Sequence, residues 1–433
     1  MNKSKILLLL ATLFVGISLF SKSNSPQGSC FSLKAADFQK TINGKQVGLY
    51  FLKNGQLEVA ITNYGGRIVS LCAPSRNGEM ADVVVGFKSI DDYLKAKGIY
   101  HGAIIGRVAG RIANGKFDLN GSSYSLPLNS PPNHLHGGAN GFHNQVWDVS
   151  SFNDTSIVLT YLSVDGEMGY PGNLNVKATY TLNSKNELSM ELAATTDKST
   201  PINLTNHAFF NLAGEGNGTI LNHELTIPAY SFCPLGLDKL PYGKITNVKS
   251  TPFDFRNAKP IGKYLKLNEN DEQFKLAGGY DHHFVLSKKK SNVLKLAATV
   301  IDPQSGRKME VFTDEPCIHF FSANFFNGSD IGKMGKPINY RESFALETQR
   351  FPFVPNQKSF PAIILNPGET YKAKTIYRFS VVNPNLSRPT LSIQIPIIYG
   401  FGNMIREDIF GSVEVGNGAS NFYNAVVSAS REI

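Results

Sequence analysis

Apolar and polar residues alternate along most of the middle of the chain. Six runs have apolar side chains at nearly every second position, and they begin at Leu57, Ile157, Leu174, Leu188, Leu294 and Tyr371. A period of two is typical of half-buried antiparallel β-strands. The run that ends at Leu182 is separated from the next by the short polar segment 183–187, which predicts a hairpin.

Helical patterns are scarce between residues 40 and 382. Only the segment from Ser89 to Lys95 resembles a short capped helix, with Asp92 three residues after Ser89. No fixed-period repeat or long linker interrupts this region. The sequence therefore predicts an all-β protein, with one large antiparallel sandwich over residues 38–382 and few short helices.

Composition supports this fold class. The 433 residues include 39 glycines and 22 prolines, and 11% are aromatic, which favours short strands joined by turns. Hydrophobic residues make up 42% and charged residues 18%, which excludes a disordered, collagenous or coiled-coil chain.

The first 23 residues resemble an export signal. Lys3 and Lys5 precede an apolar stretch from Ile6 to Phe20, and the small residues Ser21 and Ser23 follow at suitable positions for cleavage. The stretch is shorter than the about 20 residues of a spanning helix. We therefore expect cleavage rather than anchoring, a linker over residues 24–37, and a periplasmic or extracellular protein.

The four cysteines leave two possibilities at the N-terminal end. Cys30 could be a lipid-attachment site, although no aliphatic residue directly precedes Gly28 and Ser29. Cys72, Cys233 and Cys317 are predicted to be buried free thiols, because no cysteine spacing indicates a zinc site. At the other end, residues 383–433 lose the period-two pattern and are interpreted as an appendage of unknown role.

The net charge of +9 does not indicate a nucleic-acid partner. Basic residues are dispersed, apart from the run Lys288, Lys289 and Lys290, which is interpreted as a solvated turn. A nucleic-acid surface would need clustered basic residues with aromatic residues between them. We expect a monomer with a small-molecule ligand.

Two Gly-rich segments could bind a polar ligand. Segment 106–117 contains Arg111, whose guanidinium can donate a planar fork of hydrogen bonds, although a turn with solvated arginines would have the same pattern. Segment 133–138 contains His134 and His136, which would share one face of a strand. No third ligand lies nearby, so hydroxyl binding by an imidazole is favoured over zinc.

Three further segments contain ionisable residues in apolar surroundings. His207 could be a satisfied core histidine or a proton-transfer group. Asp281 lies beside His282 and His283 between a turn and a strand, where it could form a simple charge pair. Glu347 lies in an apolar strand-like run, where burial raises the pKa of a carboxyl group and suits a proton acceptor.

In their order and spacing, these segments resemble the aldose 1-epimerase (galactose mutarotase) family, from about Phe38 to about Phe379. Each motif is weak alone, but their common order is highly specific. The matching segments are Asn63–Ile68, Gly106–Phe117, Asn133–Gly138 with Trp147, Thr205–His207, Gly279–His282, Ser305–Arg307 and Ala345–Gln349. The resemblance implies the large galactose mutarotase sandwich, or supersandwich.

The resemblance also implies roles for the polar residues. Glu347 would be the general base that takes the proton of the anomeric hydroxyl, and His207 the general acid that protonates the ring oxygen. Arg111, His136 and Asp281 would bind sugar hydroxyls. No cofactor is required for this proton chemistry, although some relatives carry structural calcium.

Several positions depart from the usual pattern of the family, among them Cys317, where relatives often have Gly, and Arg350 and Phe353 after Glu347. Many relatives have Asn at Gly110, Gln at His319 and Asn at His283. His319 could still donate a hydrogen bond to a sugar hydroxyl, so it is included among the predicted substrate-binding residues.

The resemblance leaves three other functions to weigh. A sugar-binding protein without turnover would not need both Glu347 and His207. A glycoside hydrolase using Glu347 and Asp281 would need an acid carboxyl at the glycosidic oxygen, where His207 is expected instead. A hexose-phosphate epimerase would need a cationic pocket, for which Arg111 alone is weak support.

Overall fold

The computed structural model describes Cys30 and residues 33–241, 243–265, 270–353 and 360–383, together with the backbone of two short strands at 395–396 and 410–411. The predicted export signal and most of the predicted C-terminal appendage lie outside these residues. Strands within the predicted sandwich range extend from Lys40 to Val381.

One face of the sandwich is a nine-stranded antiparallel sheet. Its strands, in spatial order, are Asp148–Asn153, Ser156–Ser163, Leu174–Asn183, Glu187–Thr196, Tyr371–Val381, Arg307–Thr313, Lys295–Ile301, Glu224–Thr226 and Lys259–Pro260. The predicted hairpin is confirmed, because Asn183 pairs with Glu187 at the turn. Buried and exposed positions alternate in Leu174–Asn183, as the period of two predicts.

The opposing layer contains a seven-stranded and a four-stranded sheet. The seven strands, in spatial order, are Thr246–Asn247, Ser231–Cys233, Asp281–Val285, Cys317–Phe321, Phe344–Gln349, Phe209–Phe210 and Val84–Val85. The four strands are Leu49–Asn54, Leu57–Thr62, Arg67–Pro74 and Met80–Asp82. The main apolar core includes side chains from all three sheets, which confirms the sandwich.

Short ladders and helices complete the connections. Two-residue and longer ladders pair Lys40–Ile42 with Lys45–Val47, Lys116–Leu119 with Ser122–Ser125, Arg111–Ile112 with His134–Leu135, Thr200–Pro201 with Ile364–Leu365, Ile104–Ile105 with Thr205–Asn206, and Ile395–Pro396 with Phe410–Gly411. The α-helices are Ile90–Lys95 and Glu272–Ala277, and 3₁₀ turns cover Ala35–Phe38, Ala113–Gly115, Phe142–Asn144, Glu167–Gly169, Ile220–Asn222 and Ile261–Lys263.

The predicted helix near Ser89 is confirmed, with Ser89 Oγ accepting from the Asp92 backbone N–H as its N-cap. Among the described residues, none of the helices combines the length and hydropathy that crossing a bilayer would need.

Two strand predictions are wrong in detail. Every residue of Leu57–Thr62 is buried, because apolar side chains cover both faces of the four-stranded sheet. In Lys295–Ile301 a bulge shifts the register between Leu296 and Ala298. Leu296, predicted to face inward, is 39% exposed, and Ala297 is buried in its place.

The structure also corrects two predictions about single residues. Cys72 is not a free thiol, because it forms a disulfide with Cys30; Cys233 and Cys317 are buried and free, as predicted. Lys290 is not simply solvated, since its Nζ lies 2.7 Å from Asp314 Oδ2 and 3.2 Å from the buried Glu315 Oε1.

Candidate active site

Three neighbouring strands of the seven-stranded sheet form the floor of the site. Their register places His283 opposite His319, and His319 opposite Glu347. Because side chains alternate across a strand, these three residues share one face with Asp281. The other face carries the core residues of the same strands, including Phe284, Phe320 and Leu346. Alternation therefore collects the ionisable residues on the face opposite the main core.

His207 reaches this face from a short connection between two strands. Its backbone N–H donates to Ala103 O over 2.8 Å, and its carbonyl accepts from the Gly102 N–H over 3.0 Å. The Asn206 side chain also donates to Gly102 O and accepts from the Ala208 N–H. These bonds fix the backbone on both sides of the imidazole.

The segments that carry Arg111 and His136 are joined to each other. His136 N–H donates to Gly110 O over 3.0 Å, and Gly110 N–H donates to His136 Nδ1 over 3.1 Å. Gly137 follows with a positive φ of 82°, and a Cβ there would lie 1.7 Å from Gly106 O. Only glycine fits this close approach.

All six predicted site residues line one cavity of about 350 Å³: Arg111, His136, His207, Asp281, His319 and Glu347. They come from separate segments of the chain, which sequence spacing alone could not show to meet. A cavity of this size lies at the lower end of the range for small-molecule sites.

The proposed acid and base face each other across this cavity. His207 Nε2 lies 3.5 Å from Glu347 Oε1, and both side chains are almost fully buried. Burial raises the pKa of Glu347 to about 7 and lowers the pKa of His207 to about 3, since a low-dielectric site disfavours either charged form. These opposite shifts favour the single proton of the pair on Glu347, so the form with an ionised Glu347 and a protonated His207 is the minor one.

Asp281 has a histidine partner within the site. His319 Nε2 donates to Asp281 Oδ1 over 2.7 Å, and His319 Nδ1 lies 3.0 Å from His283 Nδ1. Burial acts to raise the pKa of Asp281, but the hydrogen bond and charge of His319 outweigh it, so the pKa is lowered. Asp281 is thus held as a carboxylate that can accept hydroxyl protons.

Sequence reasoning missed Tyr100, which forms one wall. Its ring stacks on His207 at 5.8 Å between centroids and meets His136 edge-on at 4.8 Å. The buried Arg67 holds this wall in place by donating to Ile99 O and His101 O. Arg67 lies in one of the motifs of the resemblance, but its spacing gives no indication that it supports residues 99–101.

Some residues in the predicted segments are structural instead. His134 Nδ1 donates to Pro127 O, and its Nε2 accepts from the Tyr170 hydroxyl. His134 and His136 do not share a strand face, because the strand ends at Leu135 and His136 has a φ of 52°. Arg107 is buried and binds the backbone carbonyls of Pro171, Ser163 and Val164.

The calcium that the resemblance allows finds no matching ligand set in the part of the chain that the structure describes. No group of three or more His, Cys, Asp or Glu side chains there is arranged to hold a metal ion. The oxygen-rich cage that calcium prefers is therefore not built from the described carboxylates.

A buried carboxylate and imidazole facing one cavity, with hydroxyl-binding groups around them, define an acid/base site for a polyhydroxylated substrate.

Residues 48–378 match the family model described as aldose 1-epimerase. The chain is 41% identical over 338 residues to a galactose mutarotase from Rattus norvegicus, covering 78% of this chain and 95% of the relative. It is 33% identical over 340 residues to an aldose 1-epimerase from Escherichia coli K12, covering 78% and 96%.

Solved structures agree with this match. An aldose epimerase homologue from C. elegans superposes with a TM-score of 0.71 at 31% identity, covering 78% of this chain and all of that one. A galactose 1-epimerase from Lactobacillus acidophilus superposes with a TM-score of 0.68 at 30% identity, covering 79% of this chain and 97% of that one. The chain belongs to the aldose 1-epimerase family. It is an isomerase, and the reaction of its family is the interconversion of sugar anomers.

Proposed function

We propose that this protein interconverts the α and β anomers of free aldohexoses, with galactose and glucose as the first candidates. The observation that carries the proposal is the His207–Glu347 pair, whose facing atoms lie 3.5 Å apart in the cavity. The name of the rat relative, galactose mutarotase, supports galactose as a substrate.

The reaction needs only proton transfer and rotation about one bond. The reaction starts from the form in which His207 is protonated and Glu347 is ionised. Glu347 takes the proton of the anomeric hydroxyl while His207 delivers its proton to the ring oxygen. The bond between C1 and the ring oxygen breaks, and C1 becomes an aldehyde. After rotation about the C1–C2 bond, the former ring oxygen, now a hydroxyl oxygen, attacks the other face of the aldehyde. His207 then takes back its proton, and Glu347 returns its proton to the anomeric oxygen.

The remaining polar residues hold the sugar during both transfers. Asp281 accepts from sugar hydroxyls through Oδ2, the oxygen that His319 does not use, and Arg111 and His136 contribute further contacts from the facing segments. Positioning is essential because proton transfer requires donor and acceptor atoms at hydrogen-bond distance.

Polarimetry of freshly dissolved α-D-galactose and α-D-glucose tests the proposal. We expect the purified protein to accelerate the change in optical rotation above the spontaneous rate in the same buffer. Sugar binding by calorimetry without acceleration would contradict the proposal and support a non-catalytic sugar-binding protein.

We also propose that the chain is exported, with its first 23 residues removed. The Cys30–Cys72 disulfide supports an oxidising compartment, where such bonds persist. It also argues against lipid attachment, which would use the same Cys30 sulfur. Mass spectrometry of the protein from an exporting host should give an N terminus near Asn24 and a linked Cys30–Cys72 peptide. An uncleaved chain, or a lipid on Cys30, would contradict this proposal.

We also propose that the protein is a monomer. All six predicted site residues are contributed by one chain, so no second copy is needed to complete the cavity. Light scattering after size-exclusion chromatography should give the mass of one chain.

A further inference from the structure

His319 occupies a central position among the charged groups of the site. It lies on the middle of three strands, with His283 opposite on one side and Glu347 opposite on the other. Side chains opposite each other in an antiparallel pair have Cβ atoms about 5 Å apart. His319 therefore lies beside Glu347, and its ring also contacts Asp281, the second carboxylate of the floor.

Both ring nitrogens of His319 already have partners. Nε2 donates to Asp281 Oδ1 over 2.7 Å, and Nδ1 lies 3.0 Å from His283 Nδ1. Burial lowers the pKa of His283 well below its usual value, so that ring is neutral and can accept. Two forms of His319 satisfy this arrangement: an imidazolium that donates from both nitrogens, and a neutral ring that donates to Asp281 and accepts from His283 Nδ1–H.

The charges around His319 determine whether it carries this proton. The titratable groups that interact with it electrostatically are Asp281, His283, Glu347, Arg111, His136 and His207 around the cavity, and His282 from the core face of its own strand. Burial acts to lower the pKa of His319, but the Asp281 hydrogen bond and the charges of Asp281 and Glu347 outweigh it. The pKa is raised, in contrast to those of His136, His207, His282 and His283.

We propose that His319 is a positioning residue, which fixes the Asp281 carboxylate from one side and places a positive charge beside the Glu347 carboxylate on the other. This inference rests on the proposed function and extends it to the control of the base. It differs from direct sugar binding, because neither ring nitrogen of His319 is free to donate to a hydroxyl.

The test is the pH profile of kcat/KM for α-D-galactose in His319→Gln. Glutamine can still donate to Asp281, but it carries no charge. Loss of the neighbouring positive charge raises the proton affinity of Glu347, so we expect the half-maximal pH of the profile to move upward by about one unit. A merely structural role would leave this pH unchanged.

His223→Gln is the matched control. His223 is also buried, but its Nε2 accepts from the Leu212 N–H, and it does not line the cavity. The control should keep the wild-type profile. A wild-type profile with a raised KM in His319→Gln would overturn the inference and make His319 a direct sugar ligand.

A second measurement does not depend on how the variant folds. In ¹⁵N-histidine NMR of the wild-type protein, His319 should remain a cation through pH 7, and a neutral ring at pH 7 would overturn the inference. A wild-type protein with no mutarotase activity would instead refute the proposed function, while the NMR titration would still decide the charge of His319.

Discussion

At the scale of single residues, burial determines the chemistry of the site. Glu347 and His207 both titrate away from their usual ranges because the cavity disfavours charge. Glu347 could be predicted from sequence as a buried acid, since it lies within an apolar strand. The Asp281–His319 contact could not, because these residues are 38 positions apart and meet only through strand pairing.

Replacing Glu347 by Gln should stabilise the fold in a pH-dependent way. The pKa of Glu347 is raised to about 7 in the folded protein, above its unfolded value, so its contribution to stability is lost as pH rises through 7. The free energy of unfolding of Glu347→Gln should therefore exceed that of the wild type by up to about 3 kcal/mol at pH 8 and by nearly nothing at pH 4.

Urea unfolding at both pH values measures this difference. The matched control is Glu191→Gln, since Glu191 is exposed and forms only a surface ion pair with Lys374. An equal effect of Glu347→Gln at both pH values would contradict the raised pKa.

Gly110 is a position where the site can accept a larger side chain. Its φ is 84°, which Asn tolerates better than most residues, and a Cβ there meets no atom within 4 Å. Gly110→Asn should fold and lower the KM for galactose by about 2- to 10-fold through one added hydrogen bond. Gly137→Asn should fail to fold, because its Cβ would overlap Gly106 O. An unchanged or higher KM in Gly110→Asn would show that its amide does not reach the sugar.

At the scale of elements, the period of two identified strands but not their irregularities. Leu174–Asn183 and its partner were predictable because one face is buried and the other solvated. The bulge beside Leu296 was not predictable. Leu296, Ala297 and Ala298 are all apolar, so the sequence does not show which of them faces the core. The burial of Leu57–Thr62 on both faces depends on chain segments packed from elsewhere.

Alanine substitutions test the position of the bulge. Leu192→Ala should lower the free energy of unfolding by about 2–5 kcal/mol, since Leu192 is buried in the nine-stranded sheet that also contains Leu296. Leu296→Ala should cost less than about 1 kcal/mol, because the bulge turns this side chain outward. Equal losses in denaturant unfolding would contradict the observed register.

At the scale of the whole molecule, one disulfide joins the segment before the sandwich to its four-stranded sheet. Cys30 and Cys72 are 42 residues apart, and closing a loop of this length contributes about 4 kcal/mol in the chain-entropy model. Reduction should lower the melting temperature of the wild-type protein but not of the double variant Cys30→Ala/Cys72→Ala. A wild-type melting temperature that is insensitive to reduction would contradict this role.

The sandwich brings distant segments of the chain together so that His207 and Glu347 lie 3.5 Å apart, and we propose that they act as one acid/base pair. The most direct test is a double-mutant cycle on kcat, with Glu347→Gln, His207→Asn and the double variant assayed by polarimetry. Each single variant should lose about 10²- to 10⁴-fold, and the double variant should lose little more than the worse single variant, since the two groups act as a unit. Turnover close to wild type in Glu347→Gln, or losses that multiply in the double variant, would contradict the shared proton transfer.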